Sequence, residues 1–158
     1  HLSDRRQRQM CIRDRYDIIK IVHSYWNFFT FLIILMAILN SIYGKVFSKN
    51  FVIKDLRISL FALIFSHIQL FISLILYFVS PRFQKWSDLG MGVIENSETR
   101  LHLIERPIAI IISIMLITIG WSLHKKQVDS SKKFLRIGLF YGIGFVIFFL
   151  YSLIEIFN

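Results

Sequence analysis

Residues 58 to 81 read ISLFALIFSHIQLFISLILYFVSP, a run of 24 residues without Asp, Glu, Lys or Arg. At about 1.5 Å per residue, an α-helix of this length reaches roughly 36 Å and can cross a hydrocarbon core of about 30 Å with some tilt. The run therefore predicts a membrane-spanning helix. His67 lies near its middle, where lipid alone gives no reason for an ionisable side chain, so His67 is the first candidate for a functional role.

Three further charge-free runs of at least 18 residues lie at 21–44, 107–124 and 137–154. The four runs hold nearly all the apolar residues of a chain of 158 residues that is 55% hydrophobic. This composition is typical of membrane proteins and leaves no stretch for a soluble domain. We therefore predict an all-α bundle of four transmembrane helices in one domain, residues 16–158. The predicted spans are approximately 18–44, 58–80, 107–123 and 137–156.

The connection between spans 2 and 3 contains a second helical pattern. Its apolar residues recur at steps of three or four, at Phe83, Trp86, Leu89 and Val93. This spacing predicts a short amphipathic helix in the membrane interface that ends at Gly90 and Gly92. The following Asn96-Ser97-Glu98 is typical of a helix start, because a capping side chain precedes an acid in the first turn.

Small and polar residues recur along the spans at helical spacing. In span 2 they are Ser59, Ala62, Ser66, Gln69, Ser73 and Ser80. Such residues allow helices to approach and to form hydrogen bonds in lipid, so this face is predicted to contact protein. Gly138 and Gly142 of span 4 form a weak close-approach motif of the same kind. The expected partners are the lipid bilayer and, through such faces, other membrane subunits or a second copy of the chain.

The first fifteen residues differ in character from the rest. Residues 3–15 read SDRRQRQMCIRDR, which resembles translated library-adapter sequence, and we interpret residues 1–15 as non-native. The alternative is a basic, disordered tail. Without this segment the chain loses its single cysteine, Cys11, and with it any disulfide or thiolate chemistry. It also loses five Arg and two Asp, so the formal net charge falls from +9 to +6.

The basic residues outside this segment are distributed unequally between the two ends of the spans. The loops at 45–57 and 124–136 hold nine Lys and Arg residues, and the opposite side holds five once residues 1–15 are set aside. Cytoplasmic loops of membrane proteins carry the excess of Lys and Arg. We therefore predict a bacterial inner-membrane protein with these two loops in the cytoplasm and both termini outside. No basic stripe with stacking aromatics lies outside the spans, which argues against nucleic acid as a partner.

His67 can be interpreted in three ways. It is one residue past Ser66 and lies about 100° further around the helix, at the border of the small and polar face. The plainest interpretation is a neutral interior histidine that is hydrogen-bonded to an Asn or Ser of a neighbouring helix. A proton relay or a quinone contact is the second, and axial ligation of haem is the third.

A second group of candidate residues lies at the predicted outer end of the spans. His102 and Arg106 are four apart on one helical face, and His23 is expected at the adjacent rim. His23, His102 and Glu105 are weak candidate ligands for a divalent metal. His23, His102 and Arg106 are alternatively candidates for binding a lipid head group or a quinone ring. The remaining interpretation is an interfacial salt-bridge cluster that anchors span 3.

Several short motifs together resemble a known family. They are His23-Ser24, Ser66-His67-Ile68-Gln69-Leu70, Leu76-Tyr77-Phe78-Val79-Ser80-Pro81, Gly90-Met91-Gly92, Ile117-Thr118-Ile119-Gly120 and Phe140-Tyr141-Gly142, with Arg100, Glu105 and Pro107 between them. Over residues 16 to about 150 the chain is similar to small four-helix bacterial membrane proteins described as cytochrome b-like. The resemblance implies an electron-transfer component that binds haem b or quinone. Those proteins carry Glu-His-Pro at the entry of span 3, where this chain has Glu105-Arg106-Pro107.

Helix geometry weighs against the haem that this resemblance implies. A b-type haem in a helical bundle requires two axial side chains at similar depth on facing helices. His67 is predicted about 13 Å deeper than any other histidine, too far for one iron to bridge. The chain also lacks a phosphate loop, a zincin motif and an intramembrane carboxylate pair, and no residue is a candidate for catalysis. We therefore favour a small non-catalytic membrane subunit or interaction protein, with the cytochrome b-like electron-transfer component as the alternative.

Overall fold

The computed structural model describes the backbone of residues 2–157 and the side chains of residues 14–153. All regular structure within these bounds is helical. The four long helices are α1 (Leu2–Val46), α2 (Ile53–Val79), α5 (Arg106–Lys125) and α6 (Ser130–Phe157). Between α2 and α5 lie two 3₁₀ turns (Pro81–Gln84 and Gly90–Val93), the short helices α3 (Lys85–Leu89) and α4 (Ser97–Arg100), and a π-helical turn (Leu101–Glu105).

Four helical segments are long and apolar enough to cross a membrane. They are Asp14–Val46, Ile53–Val79, Ser97–Lys125 and Ser130–Leu153. The prediction of an all-helical chain with four helices long and apolar enough to cross a membrane is thereby confirmed, and the fold is compatible with an integral membrane protein. The interpretation of residues 1–15 as non-native stays a prediction. The side chains of residues 1–13 lie outside those that the structure describes.

Consecutive long helices run antiparallel and pack side by side. Helix α1 contacts α2 and α6, and α5 contacts α6 and, less closely, α2. One end of the α1–α2 pair is joined by the side chain of Asn40, whose amide donates to Asp55 over 2.9 Å. Asp55 also accepts from the backbone N–H of Val52 at 2.9 Å, which satisfies one of the unpaired donors at the start of α2.

The core lies where all four helices meet. Its buried residues are Ile34 and Ala37 of α1, Ala62 of α2, Ile117 of α5, and Ile137 and Tyr141 of α6. Tyr141 is fully buried, and its hydroxyl crosses the core to donate to the carbonyl oxygen of Ser59 at 2.9 Å. This hydrogen bond links α6 to α2, which are not neighbours around the core.

Helix α2 turns its small and polar residues inward and its large apolar residues outward. Ser59, Ala62, Ser66 and Gln69 are buried, as the spacing predicted, whereas Phe71 is 65% exposed. In water this arrangement would be unfavourable, because apolar surface would stay hydrated. In lipid it is favourable, since small residues permit close helix contact and apolar side chains are already in an apolar solvent.

Helices α5 and α6 approach each other closely at Gly144. Ser113 donates its hydroxyl to the carbonyl oxygen of Gly144 over 2.6 Å. A Cβ atom on Gly144 would lie 2.8 Å from the backbone oxygen of Ser113, whereas one on Gly142 would meet nothing within 4 Å. A Cβ on Gly138 would approach Ser41 of α1 to 3.3 Å. The predicted Gly138/Gly142 pair therefore does not act as one motif, and Gly144 takes the position of close approach.

The connection between α2 and α5 is helical but broken. Helix α3 ends at Leu89 because the next residue, Gly90, has a φ of +52°, a conformation that other residues rarely adopt. Asn96 caps α4 by accepting from the backbone N–H of Thr99 at 3.1 Å, as its position in the sequence predicted. Some apolar side chains of the connection turn inward, and Val93 is fully buried. The connection thus covers the end of the helices at which α2 stops and α5 begins.

Candidate functional site

A cavity of about 130 Å³ opens between α1, α2 and the start of α5. We call it the rim cavity. Its polar lining residues are Tyr16, His23, Ser73, Tyr77, Ser80, Arg82, His102 and Arg106. Its apolar walls come from residues such as Leu70, Pro107 and Ile111. Among the lining residues that the structure describes there is no Asp or Glu, so the ionisable groups at this cavity are cationic, imidazole or phenolic.

Three residues predicted at the outer rim line this cavity together. His23 comes from α1, His102 from the π-helical turn and Arg106 from the first turn of α5. They meet because α1 and α5 run in the same direction on either side of α2, which brings the start of both spans to one end. The rim cavity is therefore the place where three of the sequence-based candidates converge.

Arg82 and His102 form a polar pair at the mouth of the rim cavity. The Arg82 guanidinium nitrogen Nη1 lies 3.2 Å from Nδ1 of His102. Because a guanidinium group can only donate, Nδ1 of His102 accepts and its proton is carried on Nε2. The backbone N–H of Arg82 donates to the Ser80 hydroxyl at 3.2 Å, which fixes the main chain of Arg82 at the start of the 3₁₀ turn after α2. The pair combines a permanent positive charge with a neutral imidazole whose second nitrogen is a donor.

His23 begins a line of polar contacts that leads from the rim cavity into the α1–α2 interface. Its Nε2 lies 3.1 Å from the Ser73 hydroxyl, and the Gln69 amide nitrogen lies 3.4 Å from the same hydroxyl. Gln69 also donates to the side-chain oxygen of Asn27 at 3.2 Å. The Oε1 atom of Gln69 is buried without a hydrogen-bond partner among the described residues. These contacts thus fix the ring of His23 on the side of Ser73 and end at the buried Oε1 atom of Gln69.

Tyr77 compensates for a hydrogen bond that Pro107 removes. Proline has no N–H, so the carbonyl oxygen four residues earlier, that of Leu103, receives no helical hydrogen bond from it. The Tyr77 hydroxyl donates to this oxygen at 3.0 Å and accepts from the indole N–H of Trp86 at 3.0 Å. At this irregularity the backbone N–H of Arg106 bonds to Leu101, one residue further back than in an α-helix. The wall of the rim cavity therefore depends on Pro107 and on Tyr77, whose hydroxyl replaces the donor that the proline lacks.

Glu105 points to Arg100 and not to the histidines of the rim cavity. Its carboxylate accepts from Nε of Arg100 at 2.8 Å, and Glu105 does not line the rim cavity. In the part of the chain that the structure describes, no group of three or more His, Cys, Asp or Glu side chains is placed to hold a metal ion. The predicted metal set of His23, His102 and Glu105 is therefore not brought together. Glu105 instead forms a salt bridge with Arg100, which was not among the residues of the predicted cluster.

His67 lies outside the rim cavity and outside the core. Its side chain is exposed at the border of the buried face of α2, as the 100° offset from Ser66 predicted, so the interpretation of an interior histidine is wrong. Nδ1 lies 2.8 Å from the carbonyl oxygen of Leu63, one turn earlier in the same helix. Nε2 lies 3.5 Å from the hydroxyl of Thr118 on α5. His67 thus contacts its own helix and reaches across to α5.

His23 and His67 lie at different heights along α2. His23 is at the level of Ser73, to which it is hydrogen-bonded. Ser73 is six residues from His67, which corresponds to about 9 Å along a helix axis. This separation is smaller than predicted but still exceeds what two axial ligands of one haem iron allow.

The sequence reasoning missed several residues of the site as candidates, among them Arg82, Tyr77 and Ser73. Ser73 was assigned to helix packing, and Arg82 was treated only as a loop charge. A proline inside a predicted span does indicate that a carbonyl four residues earlier needs another donor. That indication could have directed attention to a nearby Tyr, but it does not identify Tyr77 among the six tyrosines of the chain.

Comparison of the chain with models of protein families, with curated proteins and with solved structures yields no match. The assignment of a function therefore depends on the rim cavity and its surroundings.

Proposed function

We propose that the protein is a small non-catalytic membrane protein, a four-helix bundle whose rim cavity binds an anionic group. The single observation that carries this proposal is the lining of the cavity. Arg82 and Arg106 supply charge, His102 supplies an N–H, and no described lining residue is acidic. Guanidinium groups bind phosphate and carboxylate through charge-assisted hydrogen bonds.

The hydroxyl groups of the cavity add neutral donors to the two arginines. Ser80 and Tyr16 line the same space, and Ser73 presents a hydroxyl beside His23. An anion with several oxygens, such as a phosphate ester, can accept from cationic and neutral donors together, which a chloride ion does less well. The proposed role is binding, because the described lining groups its cationic and neutral donors around one space that an anion can occupy.

Glycerol phosphate is a suitable probe for this site in detergent-solubilised protein. We expect saturable binding by calorimetry in a neutral maltoside, weakened about tenfold or more by Arg106→Gln because a hydrogen bond from a charged donor is lost. Arg57→Gln, which removes an exposed arginine at the other end of α2, is the matched control and should leave binding unchanged. Equal affinity for wild type and Arg106→Gln would contradict the proposal.

The proposed placement in the membrane follows the basic residues. The two loops at 45–57 and 124–136 would lie in the cytoplasm of a bacterial cell, with the rim cavity and both termini on the outer side of the inner membrane. The broken helices between α2 and α5 would then lie in the outer interface. A reporter that is active only in the cytoplasm, fused after Asn158, should remain inactive, and a fully active fusion would reverse this orientation.

The second proposal is the cytochrome b-like electron-transfer component that the sequence resemblance implies. It is supported by His67, whose ring borders an open groove between α2 and α5 and is accessible to a ligand. The purified protein separates the two proposals by its spectrum. Our first proposal expects a colourless preparation, whereas a reduced-minus-oxidised Soret and α band that His67→Ala abolishes would establish the second.

A further inference from the structure

A second concave surface lies beside the rim cavity, along the line where α2 and α5 meet. This surface, the seam groove, has a volume of about 340 Å³. Its wall is formed by His67, Leu70, Ile111, Ile114, Met115 and Thr118, with Ile119 at one end. Helices α2 and α5 pack less closely than the other neighbouring pairs, which leaves this groove open to the side. In a membrane its opening faces lipid.

The seam groove and the rim cavity adjoin each other. Leu70 of α2 and Ile111 of α5 line both, so the two spaces share a wall. From Arg106 to Ile119 the two together follow thirteen residues of α5, or about 20 Å. One leaflet of a hydrocarbon core is about 15 Å deep. The combined site therefore extends from the end of the helices to the depth of a lipid tail.

The polarity of the combined site changes along its length. At the rim it presents Arg82, His102 and Arg106, whereas further along the wall is mainly aliphatic. The two polar side chains of the groove are turned to protein atoms, since Thr118 donates to the carbonyl of Ile114 at 2.8 Å and His67 contacts that of Leu63. An occupant therefore needs a charged head and an apolar tail.

We propose that this site binds one anionic phospholipid, with its phosphate in the rim cavity and an acyl chain in the seam groove. The proposal rests on the proposed function and names the source of the anion. Charge complementarity selects a lipid with net negative charge over a zwitterionic one, because the lining supplies cations and no described acid for a choline or ethanolamine group. The lipid enters sideways from the leaflet.

Native mass spectrometry of the full chain in maltoside provides the test, with added dioleoylphosphatidylglycerol or dioleoylphosphatidylcholine. We expect one phosphatidylglycerol to be retained and phosphatidylcholine to be lost. Arg106→Gln should reduce retention about tenfold, and Arg106→Lys should retain more because it keeps the charge. We also expect phosphatidylglycerol to bind at least about tenfold more tightly than glycerol phosphate, since only the lipid buries a tail.

The groove has its own matched pair of variants. Met115 lies in the groove and is 56% exposed, whereas Met36 lies on α1 and is 57% exposed. Met115→Trp should fill the groove and lower lipid retention about tenfold, while glycerol phosphate still binds. Met36→Trp should leave both lipid retention and glycerol phosphate binding unchanged. Both changes are on outward surfaces, and a single symmetrical peak in size-exclusion chromatography confirms folding.

The outcomes distinguish the two proposals. Retention of phosphatidylglycerol that is unchanged in Met115→Trp, or equal retention of phosphatidylcholine, would overturn the lipid site even if glycerol phosphate bound through Arg106. Failure of both glycerol phosphate and phosphatidylglycerol to bind would overturn the proposed function as well. Loss of lipid in Met115→Trp and Arg106→Gln, with retention in Met36→Trp, would support both.

Discussion

Gly144→Ala should destabilise the folded protein by about 1–3 kcal/mol, the usual cost of adding an atom to a well-packed interface. The new Cβ would lie 2.8 Å from the backbone oxygen of Ser113, which is closer than real Cβ contacts come. Because the obstacle is main chain, no rotamer change relieves it and α5 must move away from α6. That movement also stretches the 2.6 Å hydrogen bond from the Ser113 hydroxyl to the Gly144 carbonyl. Equilibrium unfolding in mixed maltoside and dodecyl sulfate micelles measures the change.

Gly142→Ala is the matched control, since it makes the same chemical change two residues earlier on the same helix. Its Cβ would meet nothing within 4 Å, so we expect no loss of stability and a small gain from the better helix propensity of alanine. Ser113→Ala separates the hydrogen bond from the steric effect and should cost about 1 kcal/mol. A Gly144→Ala protein as stable as Gly142→Ala would show that α5 and α6 are further apart than described.

Tyr77→Phe should lower the free energy of unfolding by about 1–3 kcal/mol, because it removes the hydrogen-bond partner of two partly buried polar groups. The carbonyl of Leu103 loses the donor that replaces the missing N–H of Pro107, and the indole N–H of Trp86 loses its acceptor. The phenyl ring keeps nearly all the apolar contacts of the tyrosine, so the loss is one of hydrogen bonding. Thermal unfolding in detergent is a suitable measurement, with Tyr25→Phe, at a site 68% exposed, as the control.

The role assigned to Pro107 can be tested by combining Pro107→Ala with Tyr77→Phe. Pro107→Ala restores a backbone N–H four residues after Leu103, so the carbonyl should depend less on the tyrosine. We therefore expect Tyr77→Phe to cost less in the Pro107→Ala protein than in the wild type. Costs that simply add would mean that the tyrosine and the proline act independently, and would contradict the account of the rim wall.

The span positions and the buried face of α2 were predictable because both depend on periodic features of the sequence. A charge-free run long enough for a membrane and a polar residue every third or fourth position leave little choice in lipid. The convergence of His23, His102 and Arg106 was also within reach, since antiparallel spans alternate their ends. These predictions needed only helix geometry and the order of the spans.

The rim cavity itself was not predictable in the same way. Its wall depends on the π-helical turn before Pro107 and on the contact of Tyr77 with Leu103, neither of which has a periodic pattern. The exposure of His67 depends on how far α2 and α5 separate, which is set by side-chain volumes along their contact. The separation of Glu105 from the cavity follows from its salt bridge with Arg100, one of several pairings that the sequence allowed.

The loose contact between α2 and α5 has a mechanical consequence. The other three neighbouring pairs pack closely, so the α2–α5 contact is the weakest of the four helix contacts around the core. A protein yields first where the fewest contacts must be broken. Lateral tension in the bilayer would therefore widen this side before any other, and the molecule has one compliant edge and three stiff ones.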